Sequence, residues 1–68
     1  MPLVDLLVES ELSSSRGRAR TTIEQGGAYL NNRRVEDVGT NVGYDDLVAG
    51  RYVILRSGKR NYHLVSFD

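Results

Sequence analysis

Residues 15–35 read SRGRARTTIEQGGAYLNNRRV, and the chemistry this stretch can do is anion recognition. Arg16, Arg18, Arg20, Arg33 and Arg34 stand there against one acid, Glu24. A guanidinium is a planar fork that meets a phosphate through two parallel hydrogen bonds. A second supply of cations follows at Arg51, Arg56, Lys59 and Arg60, the last two within the run SGKRN. Ser15 precedes the first arginines where an N-cap belongs, and a capped helix start adds free N–H groups and a positive dipole end. Gly26-Gly27 lets another backbone approach with no Cβ in the way. Gln25, Asn31 and Asn32 carry amides suited to sugar hydroxyls or base edges. By residue type, phosphate contacts fall to Arg16, Arg20, Arg33, Lys59 and Arg60. Closer polar contacts fall to Ser15, Gln25, Asn31 and Asn32, beside the two glycines.

Catalytic chemistry has little to build on. His63 is the only histidine and there is no cysteine, so no thiol nucleophile and no zinc ligand set can be assembled. No nucleophile elbow surrounds any serine. Gly58-Lys59 lacks the following Ser/Thr and the earlier glycine of a P-loop. The acid pairs Glu36-Asp37 and Asp45-Asp46 read as solvated turns and caps. His63 reads as a half-exposed residue facing a neighbouring strand. No catalysis, metal or cofactor is expected in this chain.

Nine Lys+Arg balance nine Asp+Glu over 68 residues, so the formal net charge is zero. A generic polyanion binder is usually basic overall. Here the charge is segregated instead. Residues 1–15 hold three acids and no base, residues 16–34 are net +4, and residues 35–50 hold four acids and no base. Residues 51–63 are net +4 again, and Asp68 adds one acid. If the basic blocks meet in space they form one positive face. The acidic segment 36–46 is the rival surface, suited to a protein partner. The longest apolar run, Tyr52–Leu55, is far below the ~20 residues that span a membrane. The opening MPLVDLLVESEL has no basic n-region. A cytoplasmic location is expected, with no membrane partner. The length allows one domain, residues 1–68, of modest stability.

Those residues need elements to hold them. Leu3, Val4, Leu6, Leu7 and Val8 make one broad apolar helix face after Pro2, and this first helix should end near Ser10–Glu11. A second helix is predicted over Arg16–Gln25, capped by Ser15, burying Ala19 and Ile23, and stopped by Gly26-Gly27. Asn31-Asn32, between Ala28–Leu30 and Arg33–Val35, signals a two-residue hairpin. Asp45–Ala49 reads as a helical turn closed by Gly50. Tyr52–Arg56 and Tyr62–Phe67 read as a second hairpin with a basic tip. The expected fold is α+β, with two short helices packed on a small antiparallel sheet built from two hairpins.

The stretch from Ser15 to Val35 resembles the core motif of the small RNA-binding domain first described in ribosomal small-subunit protein four. That motif runs roughly Ser-Arg-Ser-Glu-Ala-Arg-Arg-Leu-Ile-x-Gln-Gly-Gly-Val-x-Val-Asn-Gly-x-x-Val. It departs from that pattern at Arg18 (Glu in the family), Thr21 (Arg) and Asn32 (Gly). The opening PLVDLLVESELSSSRG and the close YVILRSGKRNYHLVSF are similar to the C-terminal domain of bacterial tyrosyl-tRNA synthetases. The resemblance implies a module that grips tRNA, chiefly the long variable arm and adjoining stem. ATP and tyrosine would bind a catalytic domain outside it, and Met1 would be a start codon added to an excised piece. It implies a monomeric isolated domain and a homodimeric parent enzyme. The same fold attached to a pseudouridine synthase, or acting as a ribosome-associated protein, is the alternative within the superfamily.

Overall fold

The computed structural model describes residues 1–67. Helix α1 spans Leu3–Glu9 and α2 spans Arg16–Glu24, followed by strands β1 (Ala28–Leu30) and β2 (Arg33–Val35). A short 3-10 turn covers Tyr44–Asp46, and strands β3 (Tyr52–Ser57) and β4 (Asn61–Ser66) complete the chain. All pairings are antiparallel, and the sheet order is β2-β1-β3-β4. The two hairpins therefore merge through β1 and β3, the α+β arrangement expected. No helix among the described residues is long and apolar enough to cross a membrane.

One core explains the arrangement. Leu3, Val4, Leu6 and Leu7 of α1 and Ala19 and Ile23 of α2 are buried with Ala28, Leu30, Val42, Val53 and Leu55. The sheet members of this set alternate along β1 and β3, so one sheet face is apolar and covered by the helices. Helix α1 lacks a side-chain cap at Pro2. Its start is held by sheet-like bonds instead: the Leu3 N–H donates to Thr40 O at 3.0 Å, and Met1 and Val42 exchange bonds in both directions.

The helix ends follow local chemistry. Ser15 Oγ accepts the Arg18 N–H at 3.2 Å, so the cap forms although Arg18 supplies no return carboxylate. At the other end the Gly26 N–H donates to Ile23 O and the Gly27 N–H to Thr22 O, with Gly26 at φ +75°. This is a Schellman motif, and its left-handed position is where a glycine is required. Gln25 caps the helix rather than ending inside it. Replacing Ser15 with Ala is expected to cost about 1 kcal/mol, read as a lower urea midpoint at unchanged slope; an unmoved midpoint would show that the cap contributes nothing.

Two expected boundaries shift. The helical turn expected at Asp45–Ala49 forms at Tyr44–Asp46. The cause is Asp46, whose Oδ2 accepts the Gly43 N–H at 2.9 Å and draws the turn back towards Gly43. Ala49 and Gly50 then both adopt positive φ and turn the chain into β3. Strand β4 begins at Asn61 and ends at Ser66, because Asn61 and Ser57 pair directly behind the Gly58 turn.

Candidate RNA interface

Asn31 and Asn32 sit at φ +52° and +66°, the pair of left-handed residues that a tight hairpin between β1 and β2 needs. Their roles differ. Asn32 is exposed. Asn31 turns its amide inward: Oδ1 accepts the Ile54 N–H at 2.9 Å and Nδ2 donates to Asp46 O at 2.6 Å. Its side chain ties the first hairpin to β3 and to the 3-10 turn, so its polar atoms are already occupied within the protein.

The Gly26-Gly27 exit sets the end of α2 beside the tip of the second hairpin. The Gly58 N–H donates to Gly27 O at 2.7 Å, and Ala28 stands opposite Ser57. The tip carrying Lys59 and Arg60, both exposed, is thereby fixed beside the end of α2. A Cβ on Gly26 would lie 3.4 Å from Arg34 Cδ, so the Arg34 side chain packs against this glycine as well. Gln25 is exposed at the same corner and shares an open groove with Arg18, Thr21 and Ser13. The Ser13 hydroxyl is buried at its base without a hydrogen-bond partner among the described residues.

Ser15 and Arg16 lie at the opposite end of α2, about 13 Å from this corner at 1.5 Å per residue. Arg16 Nε pairs with Asp5 Oδ1 at 3.2 Å, the one ion pair among the described residues. With the Arg16 side chain 68% exposed, the pair is weak and open to exchange. Arg20 is exposed on α2 between the two ends. Arg33 is exposed but shares a groove with Asp45 and Asp46. The predicted residues thus fall into a corner group of Gln25, Gly26, Gly27, Lys59 and Arg60, a helix-start group of Ser15 and Arg16, Arg20 between them, and Asn31, Asn32 and Arg33 on the first hairpin.

Two acids of segment 36–46 build turns. Asp37 Oδ1 accepts the Gly39 N–H at 2.8 Å, and Asp46 holds Gly43 as described. His63 is exposed on β4, opposite Leu55. Among the described residues no cluster of three His, Asp or Glu side chains is placed to hold a metal ion.

Sequence reasoning passed over one cluster. Arg56 lies flat on Tyr29, with Cζ 3.6 Å from the ring centroid, and donates to the Tyr62 hydroxyl at 3.2 Å. Arg34 donates to the Tyr29 hydroxyl at 3.3 Å. That bond, with the charges of Arg34 and Arg56, lowers the Tyr29 pKa against the opposing effect of burial. The only sequence signal was a tyrosine at alternate spacing in each hairpin.

These features define a small α+β module whose basic hairpin tip and Arg34 flank the end of α2, with Arg16 at that helix's far end. The family model for the tyrosine–tRNA ligase SYY-like C-terminal domain matches residues 1–65. The chain is 53% identical over 60 residues to a tyrosine–tRNA ligase of Thermobifida fusca, covering 88% of this chain and 14% of that protein. It is 47% identical over 64 residues to the ligase of Opitutus terrae, covering 94% and 15%. Against the Geobacillus stearothermophilus ligase it is 37% identical over 67 residues, covering 98% and 16%. The chain belongs to the family of tyrosyl-tRNA synthetase C-terminal domains, and it spans about one-seventh of the length of these curated relatives.

Proposed function

We propose that this domain binds tRNA, gripping the backbone of the long variable arm and adjoining stem of the tyrosine tRNA, and performs no chemistry itself. The supporting observation is the 2.7 Å bond from the Gly58 N–H to Gly27 O, which sets the Lys59-Arg60 tip beside the end of the arginine-bearing helix. With Arg34 packed against Gly26, the tip gives a neutral chain a local cationic surface, where counterions can be displaced. Arg16, Arg20, Arg33, Lys59 and Arg60 contact phosphates; Ser15, Gln25 and Asn32 make the closer polar contacts. Asn31 contributes by holding the hairpin. Recognition is by shape, because the A-form major groove is too narrow for side chains to read. In this reading ATP and tyrosine are handled by other parts of the ligase, itself a homodimer in which this domain adds affinity through tethering.

About five phosphate contacts give a slope of roughly −3 to −5 for log affinity against log salt. Arg20→Ala and Lys59→Ala should each weaken tRNA binding and make that slope shallower by about one. Binding and slope unchanged in both variants, or equal binding to tRNA and duplex DNA of matched charge, would sink the proposal.

A further inference from the structure

The sheet face turned away from the helices carries a row that the interface above does not use. Arg34, Tyr29, Arg56 and Tyr62 stand directly opposite one another on β2, β1, β3 and β4. Strand alternation places them on the side away from Ala28, Leu30, Val53 and Leu55. At strand spacings of about 4.8 Å the row runs roughly 14 Å across the sheet.

Its parts are oriented before any ligand arrives. The Arg56 guanidinium is stacked on Tyr29 and bonded to Tyr62, and Arg34 is bonded to Tyr29 with its Cζ 5.7 Å from the same ring. Neither arginine has a carboxylate within ion-pairing distance among the described residues. At Arg34 the attraction of the Glu36 carboxylate outweighs the repulsion of Arg56. Arg56 Nε is buried without a hydrogen-bond partner, so the side chain is held by its stack and its terminal nitrogens. Tyr62 is 55% exposed, and Leu64, on the same face two residues on, is equally so. Two exposed apolar surfaces beside two aligned cations match the composition of a single-stranded nucleic acid, which pairs a flat base with each phosphate.

The geometry points to a second ligand surface on this face: a short unpaired RNA segment, one base stacked on Tyr62 and successive phosphates over Arg56 and Arg34. This rests on the tRNA-binding reading and deepens it, because the domain then holds a paired stem at the Gly-Gly corner and an unpaired stretch on the sheet. Because Arg34 packs against Gly26, the two surfaces are continuous around that corner.

The test titrates the full chain with an unstructured RNA oligonucleotide and with a duplex RNA of the same length. Tyr62→Leu should weaken the unstructured RNA about tenfold and leave the duplex unchanged, while Tyr62→Phe, which keeps the ring but removes the acceptor for Arg56, should weaken the unstructured RNA by clearly less than Tyr62→Leu does. In the unsubstituted chain the Tyr62 ring protons should shift on adding the unstructured RNA, a readout that depends on no variant. An unmoved Tyr62 resonance, or Tyr62→Leu affecting both RNAs equally or neither, overturns the stacking surface. Duplex binding that Lys59→Ala weakens, with no binding of the unstructured RNA, overturns it while leaving the tRNA reading standing. Binding of neither RNA overturns both.

Discussion

Leu7→Ala is expected to abolish the cooperative unfolding transition of this chain or bring it close to ambient temperature. Leu7 is fully buried, as are Leu3, Ile23 and Leu55, with which it shares the core. Truncating such a leucine costs about 2–5 kcal/mol through lost transfer energy and the cavity left behind. A single core in a domain under about 70–80 residues rarely supplies more than about 3–5 kcal/mol. There is no disulfide to compensate, since the chain has no cysteine. The loss is therefore comparable with the whole stability, whereas the same truncation in a larger protein would merely lower its melting point. Thermal and urea unfolding followed by circular dichroism decides the matter. A melting temperature within a few degrees of the parent would mean that the helix layer contributes far less than its burial implies.

The second large effect is expected at Asn31, a position that residue type alone marks as a ligand contact. Asn31→Ala removes the acceptor for the Ile54 N–H and the donor to Asp46 O, and leaves alanine at φ +52°. Leaving this partly buried N–H unpaired costs about 1–3 kcal/mol, and the left-handed conformation adds a further penalty of about 1–2 kcal/mol. A total of about 2–5 kcal/mol follows. Asn31→Gly tolerates the backbone angle but lacks the amide, so it isolates the hydrogen-bond share. Asn32→Gly, at φ +66° and exposed, should stay within about 0.5 kcal/mol of the parent. Equal losses at the two asparagines would refute the special role of Asn31. Any fall in tRNA affinity in Asn31→Ala should track the fraction unfolded and disappear when that fraction is accounted for.

Both expectations show where the sequence was legible. The helix burying Leu3, Val4, Leu6 and Leu7, the Ser15 cap, the Gly-Gly stop and the Asn-Asn hairpin all follow from local rules, and the structure contains each of them. Local rules also identified the Lys59-Arg60 tip as a turn, since Gly58 takes the positive φ it needs. They could not supply the partner of Asn31, because an asparagine at φ > 0 looks the same whether its amide faces water or β3. They placed the 3-10 turn slightly too late, because the Asp46 return bond to Gly43 competes with ordinary helix-start preferences. The row of Arg34, Tyr29, Arg56 and Tyr62 was out of reach for another reason. It exists only in the register of β1 on β3, and pairing across separate hairpins leaves no local trace. Arg33 and Arg34 are neighbours of the same type, yet strand pairing sets Arg34 opposite Tyr29 in the stacked row and Arg33 opposite Leu30.

The merger of the hairpins through β1 and β3 has a kinetic side. Each hairpin and the helix pair can form from near neighbours, but Leu30 must find Leu55 across the whole 36–51 connection. Closing that loop carries an entropic cost repaid only when the central pairing is complete, so it belongs late in folding. The corner where Gly27 meets Gly58, and the row across all four strands, come into being with that last event. On the proposed reading, a nucleic acid that touches both hairpins would engage only the finished domain and would act as a thermodynamic latch, adding about 2.7 kcal/mol at a hundredfold excess over its Kd, a contribution similar in size to the domain's own small margin.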